Sequence, residues 1–296
     1  MDINAEIGKL DWNREPKGLY EPIGYTLAAG GKRIRPRLAL LGALAVGGNE
    51  TDVLPATLAL EVFHNFTLLH DDVMDKAEVR RGRPTVHVKW NENTAILSGD
   101  QMMIEAYKLL SGVPEDKLPK VLRLFNKMAT EICEGQQLDV DFEQRDDVTI
   151  ADYMEMIRLK TSVLLATALQ IGAYIGGGSE AEQEALYDYG IHLGLAFQIQ
   201  DDYLDCFGDP ATFGKAIGGD IREGKKTWLW LTASLTEHGS VEEVLREYER
   251  LGVKQAAEEE IRRQTQKALD CLKVIKDNQA KRDLQSLAEQ LVTRSK

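Results

Sequence analysis

The sequence predicts an all-α fold that forms a single domain over residues 1–296, and three observations support this prediction. Apolar residues recur at helical spacing over 56–69, 121–132 and 185–204. No comparable segment alternates apolar and polar residues in the way that a strand does. Most of the 8 prolines lie between the helical segments, at places where helices begin and end.

Loops are predicted where glycine, proline and polar residues cluster between the helical segments. In chain order these loops lie at 47–52, 77–84, 111–116, 176–179 and 207–226. The last loop is long and rich in glycine, and loops of that kind often contain functional residues. From Val241 onward the sequence is charged and amphipathic, which predicts solvated helix. No shift in composition divides the chain, so we expect one domain.

The composition excludes several classes of protein. The 36 basic and 48 acidic residues give a formal net charge of −12, which argues against a nucleic-acid-binding surface. The 3 cysteines are widely spaced and form no CxxC pair, so we expect a reducing compartment and a cytoplasmic protein. The longest apolar run, 163–178, is interrupted by Thr167 and Gln170, and it is too short to span a membrane.

Two acidic triplets share one spacing, and each follows an apolar helical segment. They are Asp71, Asp72 and Asp75 in LLHDDVMD, and Asp201, Asp202 and Asp205 in FQIQDDYLD. On a helix the members of a triplet share one sector, where two charges ~6 Å apart repel by roughly 3 kcal/mol at an effective dielectric constant of about 20. A single triplet is more often a solvated acidic face, but two copies favour bound cations. Ligation by oxygen alone, without the spacing of a calcium loop, favours Mg²⁺.

Basic residues form local clusters although the net charge is negative. The clusters are Lys32, Arg33 and Arg35 in GGKRIRP, Arg80 and Arg81 in RRGRP, Lys160 beside Thr161, and Lys215, Lys225 and Lys226 in the long loop. Arginine forks bind phosphate oxygens in a bidentate manner, and glycine lets the backbone approach an anion. Each cluster alone is typical of surface charge. Together with the triplets, the clusters predict a polyanion bound both through metal and directly.

Two other kinds of site are rejected. Residues 219–225, GDIREGK, have the spacing of a phosphate-binding P-loop, but Lys226 replaces the Ser or Thr that ligates magnesium and no strand pattern precedes it. Glu61 and His64 form half of the Glu-x-x-His pattern of di-iron bundles, and no other histidine supplies the second half. We therefore expect His64 to be a core or substrate-contacting residue.

Over residues 25–227 the motifs together resemble the trans-isoprenyl diphosphate synthases of the polyprenyl synthetase family. In order they are GGKRIRP, FHNFTLLHDDVMD with RRGRPTVH, KTS, FQIQDDYLD and FGKAIGGDIREGKKT. The resemblance implies an isoprenoid-synthase helical bundle around a central apolar cavity, with both aspartate motifs at its mouth. It also implies a homodimer, isopentenyl and allylic diphosphates as substrates, and magnesium, with three ions in each active site.

The same resemblance implies roles for individual residues. The magnesium ligands would be Asp71, Asp72, Asp75, Asp201, Asp202 and Asp205, with Asp220 supporting them. The allylic diphosphate would contact Arg80, Lys160, Thr161, Gln198, Lys215 and Lys225. Isopentenyl diphosphate would contact Lys32, Arg35, His64 and Arg81. The catalytic residues among these would be Asp71, Asp72, Asp75, Arg80, Lys160, Asp201, Asp202 and Lys215.

The length of the product is the finer question that the resemblance raises. By the family's logic, a bulky ring shortly before the first triplet forms a floor under the growing chain, and Phe66 lies five positions before Asp71. We therefore expect farnesyl diphosphate, with geranylgeranyl diphosphate as the alternative. Phe66 could instead be an ordinary core residue. DDVMD also lacks the two spacer residues of a common bacterial farnesyl motif.

Two other functions resemble this one. A class I terpene cyclase also ionises allylic diphosphates with an acidic motif, but it has no use for the isopentenyl site that GGKRIRP implies. A non-catalytic subunit of a heteromeric synthase would have lost aspartates or basic contacts, and all of them are present in this sequence.

Overall fold

The computed structural model describes residues 1–209, 217–236 and 239–293, and their fold is all-α, as the sequence predicts. The helices are α1 (Ile3–Gly8), α2 (Lys17–Leu27), α3 (Ile34–Ala45), α4 (Glu50–Met74), α5 (Val86–Lys89), α6 (Glu92–Leu110), α7 (Leu118–Gln144), α8 (Ile150–Ile157), α9 (Val163–Ile175), α10 (Glu180–Phe207), α11 (Gly219–Arg222), α12 (Trp228–Ala233), α13 (Val241–Arg250), α14 (Val253–Cys271) and α15 (Gln279–Thr293). A π-helical turn (Arg158–Ser162) joins α8 to α9, and a 3-10 turn (Leu272–Val274) follows α14.

A short hairpin forms the only sheet in the described ranges. Its strands, β1 (Val79–Arg80) and β2 (Arg83–Pro84), are antiparallel. Arg81 and Gly82 both have positive φ values, 53° and 72°, as the two central residues of a tight hairpin turn require. The sequence predicted only a loop here, because strands of two residues are too short to show an alternating pattern.

The two helices that end in acidic triplets are longer than their apolar patterns predicted. Helix α4 begins at Glu50 because the side chain of Asn49 accepts the backbone N–H of Asp52 at 2.9 Å, which caps the first turn. Helix α10 extends from Glu180 to Phe207 and so includes the whole second triplet. Each triplet therefore lies at the C-terminal end of a long helix.

Backbone contacts divide the chain into two compact units. Unit 1 contains Met1–Arg123 and Ala168–Ser179, and unit 2 contains Leu124–Thr167 and Glu180–Lys296. The single-domain expectation stays a prediction. Within unit 1, a Cβ atom on Gly172 of α9 would collide with the carbonyl oxygen of Ala39, so glycine lets α9 approach the backbone of α3 closely.

Helix α10 is the central helix of unit 2. A Cβ atom on Gly194 would lie 2.5 Å from the Oγ atom of Ser162, so the π-helical turn packs directly on the backbone of α10. The buried hydroxyl of Tyr189 donates to the carbonyl of Leu284 at 2.8 Å, which fixes α10 to α15. These contacts hold the helix that carries the second triplet.

No helix among the described residues combines the length and the apolar character needed to cross a membrane.

Candidate active site

Both acidic triplets add negative charge to a helix end that is already negative. Asp71 and Asp72 lie in the last turn of α4 and Asp75 is its C-cap, while Asp201, Asp202 and Asp205 lie in the last two turns of α10. Neither last turn contains a basic residue. The terminal carbonyl groups of a helix carry partial negative charge, which the carboxylates increase. A bound cation would therefore stabilise both helix ends.

The first triplet contains one buried and two more accessible carboxylates. Asp72 is buried, and its Oδ1 accepts a hydrogen bond from Nε of Arg80 at 2.6 Å. Burial raises the pKa of Asp72, and the charge of Arg80 opposes this rise. Asp71 is half-buried and Asp75 is exposed, one helical turn further on. These two carboxylates lie where a cation could reach them from solvent.

In the second triplet, Asp202 is held by residues that the sequence did not indicate. Its Oδ2 accepts the hydroxyl of Tyr153 at 2.5 Å and the backbone N–H of Trp228 at 3.2 Å. Burial raises the pKa of Asp202 to about 8, although the Tyr153 hydrogen bond opposes this. Asp202 is thus a buried carboxyl group that a nearby cation would ionise, while the neighbouring Asp201 is exposed.

Asp205 anchors the start of α11. Its two carboxylate oxygens accept the backbone N–H groups of Gly219 and Asp220, at 3.2 Å and 3.1 Å. Direct metal ligation by Asp205, which the resemblance implied, stays a prediction. Burial and the charge of Asp205 raise the pKa of Asp220 to about 6.

The donors of both triplets suit magnesium. In the ranges that the structure describes, no group of three or more Asp, Glu, His or Cys side chains is arranged to hold a metal unaided. Magnesium commonly takes one or two carboxylates, keeps several waters and shares the phosphates of its substrate. Carboxylate oxygens at the solvent edge, such as those of Asp71, Asp75 and Asp201, fit that pattern.

Two of the three lysines predicted in the long loop, Lys225 and Lys226, differ in their contacts. Nζ of Lys225 lies 2.8 Å from Glu223 and 4.0 Å from Asp220, close to the second triplet. Lys226 instead donates to the backbone carbonyls of Phe142 and Arg145, where it caps the end of α7. Lys226 is therefore structural. Lys215, also predicted as a diphosphate contact, lies outside the described residues.

The π-helical turn carries Lys160 and Thr161 beside the second triplet. The ammonium of Lys160 contacts a carboxylate oxygen of Asp139 at 2.5 Å, and the hydroxyl of Thr161 contacts Oε1 of Gln198 at 3.3 Å. Nε2 of Gln198 in turn lies 3.4 Å from Oδ1 of Asp202. Within unit 2 the structure thus joins Lys160, Thr161, Gln198 and Asp202 in one polar region. Such irregular turns in helices are common at functional sites.

A partly buried cluster of positive charge lies in unit 1. Arg33 has a positive φ of 47°. Its guanidinium is held within the fold, where it donates to Glu61 at 2.5 Å and to the carbonyl of Leu27 at 2.7 Å. Burial lowers the pKa of Arg35 to about 10, and Nε of Arg35 has no hydrogen-bond partner. Arg81 donates to the carbonyl of Gly30. Three arginines thus surround the carboxylate of Glu61, and an anion would stabilise this excess positive charge.

His64 is an uncharged member of this cluster. Burial, together with the charges of Arg35 and Arg81, holds the pKa of His64 well below its ordinary value. A neutral imidazole can donate or accept a hydrogen bond without adding to the positive charge. Lys32, the remaining predicted residue of this group, is exposed in the loop that precedes α3.

An open pocket in unit 1 combines both kinds of charge. Asp72 of the first triplet lines it, and so do Arg80 and Arg81 of the hairpin. Leu68 and Leu69 of α4 supply apolar walls. The pocket is therefore suited to a ligand with an anionic head and an apolar body.

Phe66 does not lie directly below the first triplet. A helix turns about 100° per residue, so a residue four positions before Asp71 lies about 40° from it and one five positions before lies about 140° away. Thr67 is therefore the side chain below Asp71. The Phe66 ring packs edge to face against Phe63 and His70, with ring centroids 5.4 Å and 4.9 Å apart.

Sequence reasoning missed Asp139 and Tyr153. Neither residue stands in a pattern that distinguishes it from a solvated acid or a core aromatic residue. Only the packing of α7, α8 and α10 brings them to Lys160 and Asp202.

The buried carboxyl of Asp202 predicts a stability change that needs no ligand. The unfolded chain releases this proton near the ordinary value of 3.8, whereas the folded chain keeps it until about pH 8. Stability therefore falls as pH rises between these values, because the unfolded state binds fewer protons. In metal-free protein at pH 9, Asp202→Asn should raise the free energy of unfolding by about 1–3 kcal/mol, with a smaller gain at pH 5.

Chemical denaturation at both pH values measures this gain. The matched control is Asp201→Asn on the exposed neighbour, which should change the free energy of unfolding by at most about 0.5 kcal/mol. An Asp202→Asn protein that is less stable than the wild type at pH 9 would contradict this account of the second triplet.

Comparisons with known proteins agree with this geometry. The family model described as polyprenyl synthetase matches residues 16–268. The geranylgeranyl diphosphate synthase of Methanosarcina mazei is 47% identical over 233 residues, which cover 78% of this chain and 72% of that protein. The geranylgeranyl pyrophosphate synthase of Geoglobus acetivorans is 42% identical over 271 residues, or 91% of this chain and 82% of that protein.

A solved structure extends the likeness to the fold. The geranylgeranyl pyrophosphate synthetase of Pyrococcus horikoshii superposes with a TM-score of 0.93 at 36% identity, covering 98% of this chain and 94% of that one. The expected isoprenoid-synthase fold is thereby confirmed. From the family match and these identities, the chain belongs to the polyprenyl synthetase family and is a prenyltransferase.

Proposed function

We propose that this prenyltransferase condenses isopentenyl diphosphate with an allylic diphosphate, head to tail, in a magnesium-dependent reaction. The observation that carries the proposal is the pocket of unit 1, where Asp72 lies beside Arg80 and Arg81 above apolar residues of α4. A diphosphate needs both metal and direct cationic contacts, and a prenyl chain needs an apolar wall. Few other ligands require bound metal, cationic side chains and an apolar wall together.

In this proposal the charged residues divide into three groups. Asp71, Asp72, Asp75, Asp201, Asp202 and Asp205 hold magnesium, while Asp220 supports the second triplet. Arg80, Lys160, Thr161, Gln198, Lys215 and Lys225 hold the allylic diphosphate. Lys32, Arg35, His64 and Arg81 hold isopentenyl diphosphate. Magnesium, when bound, supplies neutralising charge to the departing diphosphate.

The proposed reaction requires no protein nucleophile. The C–O bond of the allylic diphosphate breaks, and the diphosphate leaves with the electron pair. The double bond of isopentenyl diphosphate attacks the allylic cation to form a C–C bond, and the departing diphosphate accepts the proton that is then lost. Arg80, Lys160 and Lys225 stabilise the departing diphosphate without transferring a proton. Arg35, which holds isopentenyl diphosphate, remains charged at neutral pH even with its pKa lowered to about 10.

For the product, we favour geranylgeranyl diphosphate over the farnesyl diphosphate expected from the sequence. Thr67, a small residue, lies below Asp71, and the bulky Phe66 lies to one side. A chain anchored at the first triplet would therefore pass Phe66 instead of ending on it. The relatives from Methanosarcina mazei and Geoglobus acetivorans are both named as geranylgeranyl synthases, which supports the longer product.

The elongation assay tests the reaction and the product together. Purified protein with Mg²⁺ and isopentenyl diphosphate should extend dimethylallyl, geranyl and farnesyl diphosphates to a C20 product, identified by mass spectrometry. Asp71→Asn should lower the turnover number by about a hundredfold, because it removes charge that stabilises the leaving group. Elongation that stops at C15 would restore the farnesyl prediction. Diphosphate release without elongation would contradict the proposed reaction.

The proposal includes a homodimer, and the outer face of α6 is its candidate interface. Five large apolar side chains on this helix are exposed: Ile96, Leu97, Met103, Ile104 and Tyr107. They repeat at seven-residue spacing, as Leu97 and Ile104 show, so they form a stripe along one face. A stripe of this kind is typical of a surface that another chain covers.

Sedimentation tests the dimer. The wild-type protein should sediment at about twice the chain mass of 33.1 kDa, and Leu97→Glu should shift it towards the monomer because a charge would be buried in the interface. The matched control is Val274→Glu on a residue that is exposed outside α6. A wild-type protein that sediments as a monomer at micromolar concentration would contradict this part of the proposal.

A further inference from the structure

The turn that precedes α3 contains three residues with left-handed backbone. Gly30, Gly31 and Arg33 have positive φ values of 73°, 127° and 47°. Glycine adopts such values without strain, whereas Arg33 lies in the left-handed region (φ 47°, ψ 42°) with a full side chain. A residue other than glycine stays in this region only where its surroundings hold it there. Residues 30–33 are called the glycine turn below.

The side chain of Arg33 holds this backbone in place. Its Nε donates to Oδ1 of Asn4 in α1 at 3.1 Å, and one terminal nitrogen donates to the carbonyl of Leu27 in α2 at 2.7 Å. The other terminal nitrogen donates to Oε1 of Glu61 in α4 at 2.5 Å. Arg33 is buried, so water screens its charge-assisted bond to Glu61 little. The guanidinium thus ties the glycine turn to three helices.

Glu61 is the buried carboxylate that receives Arg33. Its Oε1 also accepts Nδ2 of Asn65 at 3.0 Å, so a neighbour one turn along α4 fixes the position of this oxygen. Burial lowers the pKa of Arg35 and of Arg81, and the charge of Glu61 opposes this change in both. Glu61 therefore has two effects, one through its contact with Arg33 and one through its charge.

The glycine turn positions three cationic side chains. Lys32 belongs to the turn, and Arg35 follows it in the first turn of α3. Arg81 donates to the carbonyl oxygen of Gly30. A Cβ atom on Gly31 would lie 2.8 Å from Cζ of Arg81, so the guanidinium packs directly on the turn. A shift of the glycine turn would therefore displace all three cations.

We propose that Arg33 and Glu61 are positioning residues for isopentenyl diphosphate. Their ion pair holds the glycine turn in its left-handed form, and the turn holds Lys32, Arg35 and Arg81 in place for the anion. Side chains that are already in place lose less freedom on binding, which strengthens affinity. The inference rests on the proposed function, which assigns these three cations to isopentenyl diphosphate.

The two effects of Glu61 change the affinity for an anion in opposite directions. Removing a negative charge beside Arg35 and Arg81 would by itself tighten the binding of a diphosphate. Weakening the charge-assisted bond to Arg33 would loosen the glycine turn and so weaken binding. Glu61→Gln keeps the size of the side chain and removes its charge. The direction of the change in affinity therefore shows which effect dominates, and the proposal requires weaker binding.

Steady-state kinetics with each substrate varied in turn test the positioning role. Glu61→Gln should raise the KM for isopentenyl diphosphate by about tenfold, the effect of losing most of a charge-assisted hydrogen bond. The KM for geranyl diphosphate and the kcat should stay unchanged, because Arg80, a proposed contact of the allylic diphosphate, is held by Asp72 instead. A KM for isopentenyl diphosphate that is unchanged or lower in Glu61→Gln would overturn the proposal.

The matched control is Glu105→Gln. Glu105 is also a buried carboxylate of unit 1, and its Oε1 accepts Arg14 at 3.1 Å and Gln101 at 2.9 Å. This variant loses a comparable bond without touching the glycine turn, so both KM values should match those of the wild type. An equal rise in the KM for isopentenyl diphosphate in Glu105→Gln would indicate general loosening of the fold and would overturn the proposal.

Two variants of Arg33 separate the backbone from the charge. Arg33→Gly and Arg33→Ala remove the same guanidinium, but glycine adopts a φ of 47° without strain and alanine does not. Both should raise the KM for isopentenyl diphosphate, and Arg33→Ala should raise it about threefold more than Arg33→Gly because of that strain. Glu61 keeps Arg35 and Arg81 as neighbours in both variants, so this comparison decides the test if Glu61→Gln fails to fold.

The outcomes separate the positioning role from the proposed function. Equal KM values for isopentenyl diphosphate in Arg33→Gly and Arg33→Ala would overturn the positioning role alone, provided that the wild type elongates its allylic substrate. A wild-type protein that forms no elongated product would overturn the proposed function, and the positioning role with it.

Discussion

Carboxylates concentrated at the C-terminal end of α4 in unit 1, and likewise at that of α10 in unit 2, are the constraint on which the proposed function depends. The partial negative charge of each helix lies at its own C-terminal end, where its aspartates also lie. The last turn of neither helix contains a basic residue. In each triplet the repulsion between carboxylates is limited, either because one carboxyl group keeps its proton or because one carboxylate pairs with an arginine. Asp202 is buried with a pKa raised to about 8, and Asp72 is paired with Arg80. This arrangement lowers the free energy of unfolding of the cation-free protein, and binding of a cation raises it.

The arginine cluster of unit 1 carries excess positive charge, which an anion would neutralise. Glu61 neutralises Arg33, which is thereby a structural residue, while Arg35 and Arg81 remain in excess. Burial, together with these charges, holds the pKa of His64 well below its ordinary value, so the imidazole stays neutral. Burying positive charge beyond what the fold can pair is unfavourable unless an anion is bound. Each unit of the chain thus contains charge that a diphosphate with its metal would complement.

Sequence alone predicted the features that are local in the chain. The triplet spacing, the helical segments and the glycine beside the basic clusters are all visible within a few residues, and the structure confirms the all-α fold. Contacts between distant segments were not accessible. Tyr153 and Asp139 reach Asp202 and Lys160 only because α7, α8 and α10 pack together. Lys226, which the sequence groups with Lys215 and Lys225 in a basic cluster, instead caps α7, and this contact too joins segments that are distant in the chain.

Calorimetric titration of the protein with inorganic pyrophosphate, with and without Mg²⁺, tests the central claim most directly. If the aspartates require a cation and the arginines require an anion, each ligand should strengthen the binding of the other. The account predicts that millimolar Mg²⁺ tightens pyrophosphate binding by at least about tenfold, and that pyrophosphate tightens Mg²⁺ binding by the same factor. Equal pyrophosphate affinity in the presence of Mg²⁺ and of a chelator would contradict it.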